Sequence, residues 1–168
     1  MLKKQLLYKN GSIAYYTAGK GKPVMLLHGF AEDGSIWDEA AVRLAEKYSL
    51  IVPDIPGSGR SAMINGTGIG LEEFAEAMKA ILDYEHIDQV VMIGHSMGGY
   101  ITLAFAEKDP GMLKAFGLFH SSAYADDEAK KEKRRKAIQF IETNGVEDFL
   151  KTSIPGLFAS EEKSKDAI

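Results

Sequence analysis

The segment 94–99 (GHSMGG) constrains the fold of this chain more than any other, because it joins two stretches of different periodicity. An apolar run over 89–93 has the composition of a buried strand, and 97–107 has the spacing of a helix with small residues. A G-x-S-x-G sequence at such a junction predicts a very tight strand-to-helix turn, in which larger side chains at the two glycines would collide with backbone. We therefore predict that the hydroxyl of Ser96 stands over the sheet edge as a nucleophile.

Strand-like and helix-like patterns alternate up to residue 119, and this alternation predicts an α/β fold with a mostly parallel sheet and helices on both faces. The segment 23–27 is apolar throughout, as expected of a central strand buried on both sides. The dipeptide Asn10-Gly11 predicts an antiparallel hairpin near the start of the chain. The predicted strands are 5–8, 12–17, 23–27, 49–52, 89–93 and 113–119, and the predicted helices are 36–47, 71–81 and 97–107.

The pattern changes after residue 122. Mixed charge over 126–135, with acidic and basic residues four positions apart, indicates a solvated helix face. Apolar positions between Ile138 and Leu150 then supply apolar faces for two or more helices, with no further strand pattern. We predict two domains, a core over 1–122 and a helical segment over 123–168.

Composition excludes several classes of function. The formal net charge of −4 argues against a nucleic-acid binder, and the absence of cysteine excludes disulfides and thiolate chemistry. No apolar run approaches the length of a membrane helix, and the first residues lack the pattern of a secretory signal. The sequence offers no cluster of metal-ligand type. We expect a cytoplasmic protein that acts on a small molecule without a metal or cofactor.

A second candidate site segment, His28-Gly29-Phe30, follows the predicted central strand. In sites with a G-x-S-x-G turn, one oxyanion donor is the backbone N–H after the nucleophile, and the other comes from the loop after this strand. The predicted donors are therefore the N–H groups of Met97 and Phe30. His28 is expected to hydrogen-bond to backbone and to shape the loop rather than to act as a base.

Three segments stand in order along the chain: 23–30, the DIPGSGRS sequence at 54–61, and 94–99. Together they resemble the signatures of the α/β-hydrolase superfamily, in the order and spacing expected of a serine esterase-like member. The resemblance implies that Gly29, Gly94 and Gly98 support the loop and the turn, and that 123–168 begins a cap inserted into the core. A serine at position 96, where members that open epoxides carry aspartate, implies acyl transfer to water.

The base of the family's triad follows the nucleophile late in the chain. His28, His86 and His95 all precede Ser96; His86 is expected at the surface, and the His95 side chain is expected to point away from the reaction. His120 is the only histidine after the nucleophile and is a candidate substitute base, with Asp126 a candidate acid.

Two functions from different classes follow from this pattern. The first is a serine hydrolase of the carboxylesterase type, seen as an N-terminal portion, because a whole member has about 250 residues. The second is a non-catalytic binding or receptor module on the same scaffold. An incomplete sheet edge also predicts self-association or pairing with another chain.

Overall fold

The computed structural model describes residues 1–64 and 69–157, and it confirms the predicted α/β class with a mostly parallel sheet. Six strands lie in the order β1-β2-β4-β3-β5-β6. The strands are β1 (Leu2–Tyr8), β2 (Gly11–Ala18), β3 (Lys22–Leu27), β4 (Tyr48–Pro53), β5 (Val90–His95) and β6 (Leu113–Phe119). The helices are α1 (Asp38–Leu44), α2 (Leu71–Tyr84), α3 (Met97–Lys108), α4 (Glu128–Asn144) and α5 (Val146–Ser153), with 3₁₀ turns at Gly34–Trp37, Pro110–Met112 and Ile154–Leu157.

The first hairpin differs by one residue from its prediction. β1 pairs antiparallel with β2, and Tyr8 is opposite Gly11, so the two loop residues are Lys9 and Asn10. Lys9 has the positive φ of 51° that such a short loop requires. Gly11 is already part of the strand, where a Cβ would lie only 2.8 Å from the Cβ of Ala62. The absence of a side chain at Gly11 therefore leaves space for Ala62, and the turn of the hairpin does not require it.

The first helix is shorter than predicted and begins differently. The carboxylate of Asp33 accepts a hydrogen bond from the backbone N–H of Ser35 and caps a 3₁₀ turn that precedes α1. The helix ends at Leu44, and Lys47 donates back to the Leu44 carbonyl in a tight turn. The predicted range of 36–47 joined these three pieces, because the apolar spacing continues through all of them.

Helices cover both faces of the sheet, and alternate residues of each central strand supply two separate cores. On β3, Met25 and Leu27 pack with α2 and α3 in the larger core. Val24 and Leu26 pack on the opposite face with Trp37 of the turn before α1. This division explains why the strand is apolar throughout.

The chain divides into two units, and the second begins at Tyr124. In the second unit, Asp127 caps α4 by accepting from the Lys130 N–H. Gly145, at φ 89°, separates α4 from α5, and the tilted rings of Phe140 and Phe149 have their centroids 6.5 Å apart. The assignment of this unit as a cap stays a prediction. Within 1–64 and 69–157, no helix has both the length and the apolar character that a membrane span requires.

Candidate active site

Ser96 occupies the turn between β5 and α3 in a conformation that residues other than glycine rarely adopt, with φ 49° and ψ −114°. Neighbouring groups hold both sides of its backbone. Its N–H donates to the Phe119 carbonyl at 3.1 Å, and its carbonyl accepts from the Gly99 N–H at 3.0 Å and from the Ser121 hydroxyl at 2.7 Å. The end of β6 therefore keeps the strained turn in place.

The two glycines of the motif have the steric role that their spacing predicted. A Cβ on Gly94 would overlap the carbonyl of Gly98. A Cβ on Gly98 would lie 2.6 Å from the His28 carbonyl oxygen and 2.7 Å from that of Leu27. The turn and the end of β3 are thus packed backbone against backbone.

The two predicted oxyanion donors lie on the elements that the sequence indicated. Met97 is the first residue of α3, where a backbone N–H has no acceptor within the helix and the helix dipole favours negative charge. Phe30 lies in the loop after β3, and the residue is 60% exposed. Their roles toward a substrate stay predictions.

His28 is fully buried, and both of its ring nitrogens are engaged by backbone groups. Nδ1 lies 2.8 Å from the Gly29 carbonyl oxygen, and Nε2 accepts from the Ile55 N–H at 2.9 Å. A carbonyl is only an acceptor and an N–H only a donor, so the proton sits on Nδ1 and the ring is neutral. Burial accordingly lowers the pKa of His28 below its ordinary value.

The lowered pKa of His28 predicts a pH dependence of stability. As pH falls below about 6.5, His28 binds a proton in the unfolded chain but not in the folded chain, so the free energy of unfolding should decrease. This contribution is complete above pH 6.5 and is lost toward the lower pKa of the folded state. Urea unfolding at pH 7.5 and pH 5.5 measures it.

The matched variant is His28→Gln, whose amide oxygen can accept from Ile55 N–H without titrating. Its stability should change less between the two pH values than that of the wild type. The other histidines and the carboxylates are the same in both proteins, so they cancel in the comparison. Equal changes in the two proteins would contradict the assignment.

Sequence reasoning missed Glu32. Its Oε2 accepts from the Gly29 N–H at 2.5 Å and lies 2.9 Å from His95 Nδ1, so one oxygen joins the loop after β3 to the turn of the nucleophile. The expectation that the His95 side chain turns away from the reacting centre left this contact out. A glutamate three residues after the loop glycine was the signal, but its partner lies 63 residues further along the chain.

His120 is placed without a hydrogen bond to the nucleophile. The His120 ring lies 4.5 Å from that of Phe119 and 6.2 Å from that of His95, and its backbone has φ 46°. Among the described residues of the first unit, 1–64 and 69–123, no side chain is hydrogen-bonded to the Ser96 hydroxyl. His86 is exposed in the connection before β5, as expected.

Asp126 belongs to the second unit, where its Oδ2 accepts from Arg134 Nε at 2.5 Å. This guanidinium lowers the pKa of the Asp126 carboxyl. Asp126 therefore has a cationic partner within its own unit, and a role as catalytic acid stays a prediction.

A cavity of about 380 Å³ opens on the first unit, beside the loop that follows β4. Tyr16, Asp33, Asp54 and Arg60 contribute to its walls, and Ser96 does not. Within the part of the chain that the structure describes, no group of three or more histidine or acidic side chains could hold a metal ion.

This arrangement agrees with what is found among known proteins. A family model described as alpha/beta hydrolase fold matches residues 22–136. This match covers more than half of the chain, and the chain therefore belongs to the α/β-hydrolase family.

Three relatives illustrate the similarity. The chain is 35% identical to a soluble epoxide hydrolase from a Corynebacterium species, over 62% of this chain and 41% of that protein. It is 32% identical to a 2-hydroxy-6-oxo-2,4-heptadienoate hydrolase from Pseudomonas putida, over 61% of this chain and 38% of that protein. Among solved structures, a thermophilic esterase from Thermogutta terrifontis superposes with a TM-score of 0.81 at 28% identity, over 91% of this chain and 58% of that chain. The chain thus spans less than two thirds of the length of each of these relatives.

Proposed function

We propose that this chain carries the nucleophile half of a serine-dependent hydrolase that acts on carbonyl substrates, with esters as the favoured class. The observation that carries the proposal is the backbone of Ser96. A serine in this strained turn, with its N–H and carbonyl both fixed by neighbouring elements, is held at a cost of about 1–3 kcal/mol. Such a conformation is a sign of a functional site rather than of an incidental glycine-rich turn.

In the proposed mechanism, Ser96 Oγ attacks the carbonyl carbon of the substrate while a base takes the hydroxyl proton. The carbonyl oxygen becomes an oxyanion and accepts from the N–H groups of Phe30 and Met97. The carbon–oxygen bond to the alcohol then breaks, and the alcohol leaves with the proton. Water attacks the acyl-enzyme in the same way and restores the serine.

None of the four histidines in the sequence is placed as this base, and His86 is exposed in the connection before β5. His28 is neutral with both nitrogens engaged, His95 is bound to Glu32, and His120 has no hydrogen bond to the Ser96 hydroxyl in the described part of the chain. The described chain by itself is therefore expected to turn over esters slowly or not at all.

Added imidazole can replace a missing histidine and makes the proposal testable. A small fluorophosphonate is offered to the chain with imidazole, and labelling is followed by intact mass. The Ser96 Oγ–phosphorus bond forms, the phosphorus–fluorine bond breaks, fluoride leaves, and imidazole takes the proton. We expect one label per chain, at Ser96. In a second assay, the rate of p-nitrophenyl acetate hydrolysis should rise with imidazole and should exceed the rate measured with Ser96→Ala.

Ser49→Ala is the matched control, because Ser49 lies near the amino end of β4, at the other edge of the sheet from the nucleophile turn. This variant should react like the wild type. Labelling that is equal in the wild type and in Ser96→Ala would contradict the proposed hydrolase.

A non-catalytic binding module is the second candidate. It is favoured by one observation, that no described side chain of the first unit is hydrogen-bonded to the Ser96 hydroxyl. The labelling experiment separates the two candidates, because a binding module would bind a small ester without reacting at Ser96 even when imidazole is present.

A further inference from the structure

Glu32 makes a bridge between two parts of the candidate active site that are distant in sequence. Its Oε2 lies 2.5 Å from the Gly29 nitrogen in the loop after β3 and 2.9 Å from Nδ1 of His95, the residue before the nucleophile. A carboxylate only accepts, so the His95 ring carries its proton on Nδ1 at this contact. The side chains of Glu32 and His95 are 28% and 22% exposed, so the bridge is largely shielded from water.

The bridge passes directly beside the nucleophile. A Cβ placed on Gly29 would lie 2.8 Å from Glu32 Oε2, 3.0 Å from Ser96 Cβ and 3.2 Å from His95 Nδ1. The side chains of Glu32, Ser96 and His95 therefore all lie close to the space that a side chain at Gly29 would occupy. A side chain at Gly29 would therefore crowd the carboxylate that accepts from the Gly29 N–H.

Gly29 is held at both of its polar groups. Glu32 accepts from its N–H, and its carbonyl accepts from Nδ1 of His28 at 2.8 Å. The Gly29 carbonyl and the Phe30 N–H belong to one planar trans peptide unit and point in opposite directions. Fixing the Gly29 backbone thus fixes the direction of the Phe30 N–H, although glycine itself would permit many orientations.

We propose that Glu32 is a positioning residue, which holds the loop after β3 so that the Phe30 N–H points to the oxyanion. The inference rests on the proposed serine hydrolase and adds a residue to it. A hydrogen bond from a backbone N–H to a carboxylate is charge-assisted and stronger than a neutral one, which distinguishes this contact from an ordinary surface ion pair.

The test uses the fluorophosphonate reaction with imidazole, resolved into the affinity for the reagent and the rate constant of phosphonylation. Glu32→Ala should lower that rate constant about tenfold or more and leave the affinity within about twofold, because an oxyanion donor acts in the transition state. Glu32→Gln keeps one acceptor oxygen for the Gly29 N–H and should recover part of the lost rate constant. Glu39→Ala removes an exposed glutamate from α1 and should react like the wild type.

A spectroscopic readout tests the contact itself. In the ¹H–¹⁵N spectrum, the Gly29 amide proton should resonate at low field in the wild type and in Glu39→Ala, and should move upfield in Glu32→Ala. If Glu32→Ala phosphonylates as fast as Glu39→Ala, if Glu32→Gln is no faster than Glu32→Ala, or if the Gly29 signal does not move, the role of Glu32 is refuted while the hydrolase stands. If the wild type is not labelled faster than Ser96→Ala, the hydrolase proposal fails, and the role of Glu32 fails with it.

Discussion

Gly98→Ala is expected to destabilise the protein strongly, although the same change inside an ordinary helix would stabilise it. Gly98 lies in the first turn of α3, where alanine has the better helix propensity by about 1 kcal/mol. Its added Cβ would lie 2.6 Å and 2.7 Å from two carbonyl oxygens at the end of β3. Backbone oxygens cannot rotate away, so the helix must shift from the sheet, and we expect a net loss of about 3 kcal/mol.

Helix propensity predicts that Gly98→Ala stabilises the protein, and the collision with β3 predicts that it destabilises it. The sign of the change in the free energy of unfolding distinguishes the two, and urea unfolding at neutral pH measures it. Gly111→Ala is the matched control, because a Cβ there has no heavy atom within 4 Å. This control should change the free energy of unfolding by less than about 0.5 kcal/mol. A Gly98→Ala protein as stable as the wild type would contradict the close packing of the nucleophile turn against β3.

The nucleophile turn could be predicted from sequence because its causes are local. A tight turn between a buried strand and a helix requires small residues at fixed spacing, and Gly94, Ser96 and Gly98 carry that requirement within five positions. The strands were predictable for a similar reason, since burial on both faces leaves a continuous apolar run, as in β3. Patterns of this kind depend only on residues that are neighbours in the sequence.

The features that sequence reasoning missed depend on contacts between distant segments. Glu32 has an ordinary position in a polar loop, and only the fold brings its carboxylate to His95 and to the Gly29 N–H. The Ser121 hydroxyl, which donates to the Ser96 carbonyl, follows a strand whose register the sequence does not state. The loop of the hairpin lies one residue earlier than predicted for the same kind of reason, because Gly11 is a strand residue that packs against Ala62.

These missed contacts act together with the backbone contacts of His28, which were expected from the sequence. The strained backbone of Ser96 is held from one side by Phe119 and Ser121 at the end of β6, and its partner loop is held from the other side by Glu32 and His28. The site is therefore built from the ends of three adjacent parallel strands, β3, β5 and β6. Its geometry is a property of the sheet edge rather than of the motif alone.

Asp54→Ala should be the second strongly destabilising substitution, because one buried carboxylate joins two loops at this edge. Asp54 is 2% exposed, and its Oδ1 and Oδ2 accept from the N–H groups of Gly34 and Arg60, each at 2.9 Å. Gly34 lies in the same loop as Phe30, and Arg60 lies in the loop after β4. Removal of the carboxylate leaves two backbone donors without acceptors, at least one of them buried, and we expect a loss of about 3 kcal/mol.

Asp54→Asn should recover only part of the stability that Asp54→Ala loses. The asparagine amide has only one oxygen, so it can accept from one of the two N–H groups and presents its own N–H₂ group to the other. Asp83→Ala is the control, because Asp83 is exposed and its ion pair with Lys79 is of the i,i+4 surface type. That variant should lose less than about 0.5 kcal/mol in urea unfolding. Because the Gly34 loop also carries Phe30, Asp54→Ala should slow phosphonylation of Ser96 more than Asp83→Ala does. A protein that kept wild-type stability and reactivity without this carboxylate would show that the two loops are positioned independently of each other.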